Sequence, residues 1–175
     1  MSKITVVGNY DDFIEEINKN IDKAHNSPYH TETIKEHINK TIELSKTRKL
    51  KELAKYHDLG KSIAMTDAKI TSDAKDYFLN ENGAFCQYMG HQNVSGVYYL
   101  TLKKDEINTN EDIQEMLELI IRHDDIINGI SDKKKKDNNI TDEMIETLKE
   151  FNKIDRDSSV RSKYYDEYVK LLKRR

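Results

Sequence analysis

The 175-residue chain carries 29 Lys and Arg against 32 Asp and Glu, a net charge of −3, so its bulk charge supplies no general drive toward nucleic acid or an anionic membrane. Its one cysteine, Cys86, excludes an internal disulfide framework and fits a reducing compartment, and no apolar run approaches the ~20 residues of a membrane span. Gly is 6, Pro is 1, Trp is absent and 35% of residues are charged, which reads as one helical domain with a very polar surface.

In chain order, the opening "MSKITVVGNYDDF" lacks the apolar stretch of a signal peptide, so a cytoplasmic protein is expected. "ITVV" (4–7) is an extended start or a small strand. Asp11 or Asp12 caps a predicted helix to about His25, with Phe13, Ile14, Ile17 and Ile21 on one face. Pro28 in "NSPYH" breaks it. Helices follow over Thr31 to Ser45 and Arg48 to Leu59, the second ended by Gly60. Residues 61–90 are irregular, with Asn82-Gly83 as a turn signal, and read as a loop or small hairpin able to act as a lid. Helices resume over 91–104, 111–128 and 141–172, with "SDKKKKDNN" (131–139) as a solvated connector. The end of the chain, from 149 to "LLKRR", has a basic excess that reads as a water-facing tail.

The histidines fall at telling places on this pattern. Ile34, Ile38 and Ile42 form a stripe that His37 borders. His57 and Asp58 sit in the last turn of the third helix, where a carboxylate opposes the helix dipole and needs compensation. His91 starts a helix whose inner face is expected to be Val94, Val97, Tyr98 and Leu102. His123 lies beside the face carrying Met116 and Ile120, and Asp155 beside that carrying Leu148 and Phe151. His25 has no such placement and is expected at the surface.

Singly, each of these has an ordinary reading as a hydrogen-bonded core histidine or a buried salt bridge. Jointly they ask for a cation, because burying unpaired carboxylates costs several kcal/mol each. Imidazole nitrogen with carboxylate oxygen suits Mn, Fe, Co, Ni or Zn.

The order H…HD…H…H…D, centred on "YHDLGKS", resembles the HD-domain superfamily of metal-dependent phosphohydrolases, and within it the HD domain attached to bacterial CCA-adding tRNA nucleotidyltransferases. "PYHTETIKEHINKTIELS" (28–45), "NENGAFCQYMGHQNVSG" (80–96), "LIIRHDD" (119–125) and "FNKIDRDSS" (151–159) carry the rest of the resemblance, which spans about residues 28–160. The first 27 residues are an extension outside it and 161–175 a basic helix end.

The resemblance implies an all-α HD bundle with an interior metal site and one or two divalent ions, a transition metal or Mg. His37, His57, Asp58 and Asp155 would hold the first ion, and Asp58 would bridge to a second at His91 and His123. The implied activity is hydrolysis of a phosphomonoester or phosphodiester of a nucleotide or similar small molecule by metal-activated water. Asp58 and Lys61 are the implied catalytic residues. Lys61, His30, Arg122 and Arg156 are the implied substrate contacts; Arg161 is weaker, and Phe85 and Tyr88 are candidates to stack on a base. A nucleic-acid substrate is compatible and not implied. The alternatives are a non-catalytic nucleotide-sensing or partner-binding module and a di-iron oxygenase. Lys61 favours phosphate over oxygen chemistry.

Overall fold

The computed structural model describes residues 4, 8–25, 27, 29–64, 66–67, 79–80, 83–84, 86–88, 90–127, 129–161, 165–166 and 170. Local chemistry sets where the helices begin. Before α2 (Ile34–Leu44) the Thr33 hydroxyl accepts the Glu36 N–H at 3.1 Å, and the Glu36 carboxylate accepts the Thr33 N–H at 2.8 Å. This reciprocal box satisfies two of the donors that a helix start leaves open. Thr47 caps α3 (Arg48–Tyr56), Asn110 caps α5 (Glu111–Arg122) and Thr141 caps α7 (Asp142–Asp157) by the side-chain bond alone. α1 (Asp11–Asn20) and α4 (His91–Leu102) start without a side-chain cap.

The helices are held by packing. α2 lies on α3, α4 on α5, and α3, α5 and α7 contact one another pairwise. Leu53 of α3, Leu119 and Ile120 of α5, and Leu148 and Phe151 of α7 are fully buried. Each such side chain contributes about 1.5–3 kcal/mol by leaving water. The architecture is therefore all-α, as expected. The only strands among the described residues are two-residue antiparallel pairs, β1 (Thr66–Asp67) with β4 (Cys86–Gln87) and β2 (Leu79–Asn80) with β3 (Gly83–Ala84). They fall within the segment expected to be a loop or small hairpin. No helix among the described residues is long and apolar enough to cross a membrane.

Several boundaries differ from the sequence expectation, each for a visible reason. α1 stops at Asn20, because backbone bonds of Ile34 N–H to Lys23 O and of His25 N–H to Glu32 O draw residues 23–25 alongside the entry to α2. α5 ends at Arg122; His123 turns the chain into a 3-10 turn at Asp125–Ile127. α7 ends at Asp157, where the Ser158 hydroxyl donates to Ile154 O at 2.7 Å; helical residues recur at 165, 166 and 170. The lysine-rich connector coils into a short α6 (Asp132–Asp137) that Ser131 caps and that buries nothing. On α4 the expected inner face holds at Val94 and Tyr98 but not at Val97 and Leu102, which are 41% and 49% exposed; Ser95, Gly96 and Tyr99 are buried in their place. Small residues face inward there because Ser95 meets the turn that follows α3 while Gly96 meets Leu117 and Ile121 of α5. Of 4–7, only Ile4 is described, its N–H and C=O both bonded to the Asn108 amide.

Candidate metal centre

The "HDLGK" segment is built on close backbone approach. α3 ends at Tyr56, and the chain tightens into a 3-10 turn at Leu59–Ser62. Gly60 is not in the left-handed region expected of a helix stop. Its role is space: a Cβ there would lie 2.1 Å from the His91 carbonyl oxygen and 2.8 Å from the Ser95 nitrogen. The Ser95 hydroxyl accepts the Gly60 N–H at 2.8 Å and donates to the His57 carbonyl at 2.8 Å. This bolts the turn to α4 and leaves Asp58, 1% exposed, facing the bundle interior.

Three histidines are oriented by one device. The Nδ1 of His57, His91 and His123 bonds the carbonyl of the residue three earlier, Ala54 at 2.8 Å, Tyr88 at 2.8 Å and Ile120 at 2.7 Å. A carbonyl can only accept, so each Nδ1 carries the proton and each Nε2 presents its lone pair to the interior. His37 reaches the same centre from α2; its Nδ1 lies 3.1 Å from Glu32 Oε1. Phe151 closes the apolar side, its ring 5.0 Å from that of His57.

Asp58 joins two groups of these nitrogens. Its Oδ2 lies 3.4 Å from His37 Nε2 and 3.3 Å from His57 Nε2, and Asp155 Oδ1 faces the same two nitrogens at 2.7 and 3.3 Å. Its Oδ1 lies 3.2 Å from His91 Nε2 and 3.6 Å from His123 Nε2. Donor atoms within each set, His37–His57–Asp58–Asp155 and Asp58–His91–His123, lie within 4.8 Å of one another.

These groups fit a cation. The His91 and His123 Nε2 atoms face each other at 3.2 Å, and both Nδ1 protons are already committed to carbonyls. Two lone pairs at that separation repel unless a proton or a metal ion lies between them. Without an ion, protons must do this work. Burial pushes His57 down, but the Asp58 charge and the contacts with Asp155 and Asp58 outweigh it and raise the imidazole to about 10. His37 and His123 are also raised against burial, by Asp155 and Glu32 and by Asp124 and Asp58 respectively. Burial opposes ionisation of Asp58 and Asp155, yet their cationic neighbours hold both well below the usual carboxylate range. Carboxylates beside inward lone pairs, with backbone carbonyls fixing the outer nitrogens, make a donor set suited to a metal ion. The buried His and Asp groups can hold a metal ion.

One expectation is corrected, and the remaining candidate residues take definite positions. His25 is fully buried, with Nε2 3.9 Å from Asp58 Oδ2, where a surface residue was expected. Its helix ends early, and the pairing of residues 23–25 with the α2 entry carries it inward. Lys61 is buried and pairs with Asp58 Oδ2 at 2.7 Å. Burial lowers it, but Asp58 and Asp155 more than compensate, so it stays charged. Arg122 is half of a local ion-pair pattern, its Nε 3.1 Å from Glu118 and its Nη1 3.2 Å from Asp125. Arg156 is exposed, and Arg161 is exposed beside the Tyr165 ring. His30 stands beside the centre, stacked on His25 with ring centroids 4.3 Å apart. Tyr88 lies with its ring 5.7 Å from the Lys61 ammonium; Phe85 lies outside the described residues.

Two carboxylates escaped sequence reasoning. Asp124 reaches both His91 Nε2 and His123 Nε2, at 3.4 and 3.5 Å. Glu32 contacts His30 Nδ1 at 2.9 Å as well as His37. Asp124 adjoins His123 in "RHDD", which was a usable signal; Glu32 sits in a polar run with no periodicity to single it out.

No family model, curated protein or solved structure matches the chain.

Proposed function

We propose that the chain is an HD-type metal-dependent phosphohydrolase that cleaves a phosphomonoester or phosphodiester of a nucleotide or similar small molecule. The observation that supports this best is Asp58, whose two oxygens face separate imidazole pairs, His37–His57 and His91–His123. A carboxylate so placed suits a bridge between two ions. His37, His57, Asp58 and Asp155 would hold one, and Asp58, His91 and His123 the other. Bound Mn, Fe, Co, Ni, Zn or Mg lowers the pKa of a coordinated water toward neutrality, giving a nucleophile for in-line attack at phosphorus.

The chain's own residues supply the rest. Lys61 brings a buried ammonium to the edge of the centre, where a flexible point charge suits neutralisation of a phosphate oxygen. Ser95 and the Gly60 turn fix the backbone that carries Asp58. Phe151 packs its buried ring edge-to-face on His57 and so gives that side of the centre an apolar wall.

The test is phosphate release from a panel of nucleotides by protein loaded in turn with Mn, Co, Ni or Mg. Activity should require metal, and Asp58→Ala or the shape-preserving Asp58→Asn should abolish it with helical circular dichroism retained. A fully active Asp58 variant would refute the proposal.

A further inference from the structure

The buried imidazole of His25 is used by neither set above, yet it is built as they are. Its Nδ1 bonds a backbone carbonyl, that of Glu32, at 3.0 Å. The proton is therefore on Nδ1, and the Nε2 lone pair is free. That Nε2 is buried and has no hydrogen-bond partner. Asp58 Oδ2, 3.9 Å away, is beyond hydrogen-bond reach and is itself an acceptor. A buried lone pair aimed at a carboxylate oxygen lacks only a cation.

Two further donors stand beside it. His30 stacks on His25 with an interplanar angle of 19°, and its Nδ1 lies 2.9 Å from Glu32 Oε1. His25, His30 and Glu32 each present a donor atom within 4.8 Å of the other two. Two imidazoles and a carboxylate match the ligand set of open transition-metal sites. Lys61 already sits on Asp58 Oδ2, so a further cation here needs a negative charge of its own. Glu32 supplies it, and the same oxygen touches His37 at 3.1 Å, tying this corner to the centre described above.

We infer that His25, His30 and Glu32 form an additional cation position adjoining Asp58, so that the centre takes one more ion than the two Asp58-bridged sets account for. This rests on reading the Asp58 cluster as a metal centre.

Zinc is the probe. The metal-stripped 175-residue chain is reloaded, freed of excess zinc and analysed for metal per chain. Wild type should hold one more ion than His25→Ala or His30→Ala, with the helical spectrum unchanged. Because His25 is fully buried and its variant may not fold, the wild type is also followed by NMR of 15N-labelled imidazoles. Zinc should move the His25 Nε2 resonance together with those of His57 and His123. Equal metal content in all three proteins, or a His25 resonance that stays put while His57 and His123 shift, overturns the additional position and leaves the Asp58 centre standing. If no imidazole shifts and no zinc is retained, the metal-centre reading itself fails and takes this inference with it.

Discussion

The Ser95 hydroxyl donates to the backbone carbonyl of His57 at 2.8 Å while accepting the Gly60 N–H, so one side chain on α4 holds both sides of the turn that carries Asp58. Ser95 is fully buried. Ser95→Ala leaves a buried donor and a buried acceptor unmatched, at about 1–3 kcal/mol for such groups. The expected result is a lower denaturation midpoint together with weaker metal binding. An alanine variant matching wild type in both would show that the turn does not depend on this bridge.

Gly60→Ala should be worse. Its new methyl would meet the His91 carbonyl oxygen at 2.1 Å, and backbone cannot swing aside as a side chain can. Relief requires moving α4 off the turn, which separates His91 from Asp58. We expect destabilisation at the severe end for single substitutions, above about 4 kcal/mol, read as insoluble expression or a collapsed melting temperature. A stable Gly60→Ala protein would contradict the close packing of α4 on this turn.

Asp124 offers a gentler probe. Its side chain is 38% exposed and contacts both His91 and His123. Asp124→Asn keeps the side chain's shape, so the fold should be retained, with a modest loss of stability of about 0.5–1 kcal/mol in the metal-free protein from the charge removed beside His123. Metal affinity should fall, because the Asp124 carboxylate faces the same Nε2 atoms that would hold the ion and its charge is lost. Calorimetric titration with zinc or manganese measures this directly; unchanged affinity would make Asp124 a bystander.

The pH dependence of the metal-free protein has a definite sign. His57 stands at about 10 in the folded chain against 6.5 unfolded. Its contribution is therefore complete below about pH 6.5 and is lost as pH rises through about 10. The stripped protein should lose melting temperature across that window. Zinc, which takes the place of protons among these nitrogens, should flatten the decline and bind more tightly as pH rises. Stripped protein whose melting temperature holds steady across the window would count against a protonated His57.

Much of this was legible in the chain itself. The stripe Ile34–Ile38 places His37, and the apolar positions of α3, α5 and α7 place His57, His123 and Asp155 near the core, because a helix repeats every 3.6 residues and its faces can be counted. Counting failed where periodicity stops. His25 lies beyond the end of α1, and only the pairing of residues 23–25 with the entry to α2 turns it inward. Glu32 and Asp124 became neighbours of the histidines through turn geometry, and Lys61 left solvent because Asp58 holds it.

The sequence by itself determined the all-α class and which helix faces carry imidazoles and acids, since both follow from local spacing and burial. The resemblance had implied that Asp58 stands between two groups of ligands; only the tertiary structure gave the side-chain directions by which its two oxygens face them and brought His25 beside them. Those facts depend on side-chain direction and on α4 seating against a glycine, and neither is encoded in any one stretch of the chain.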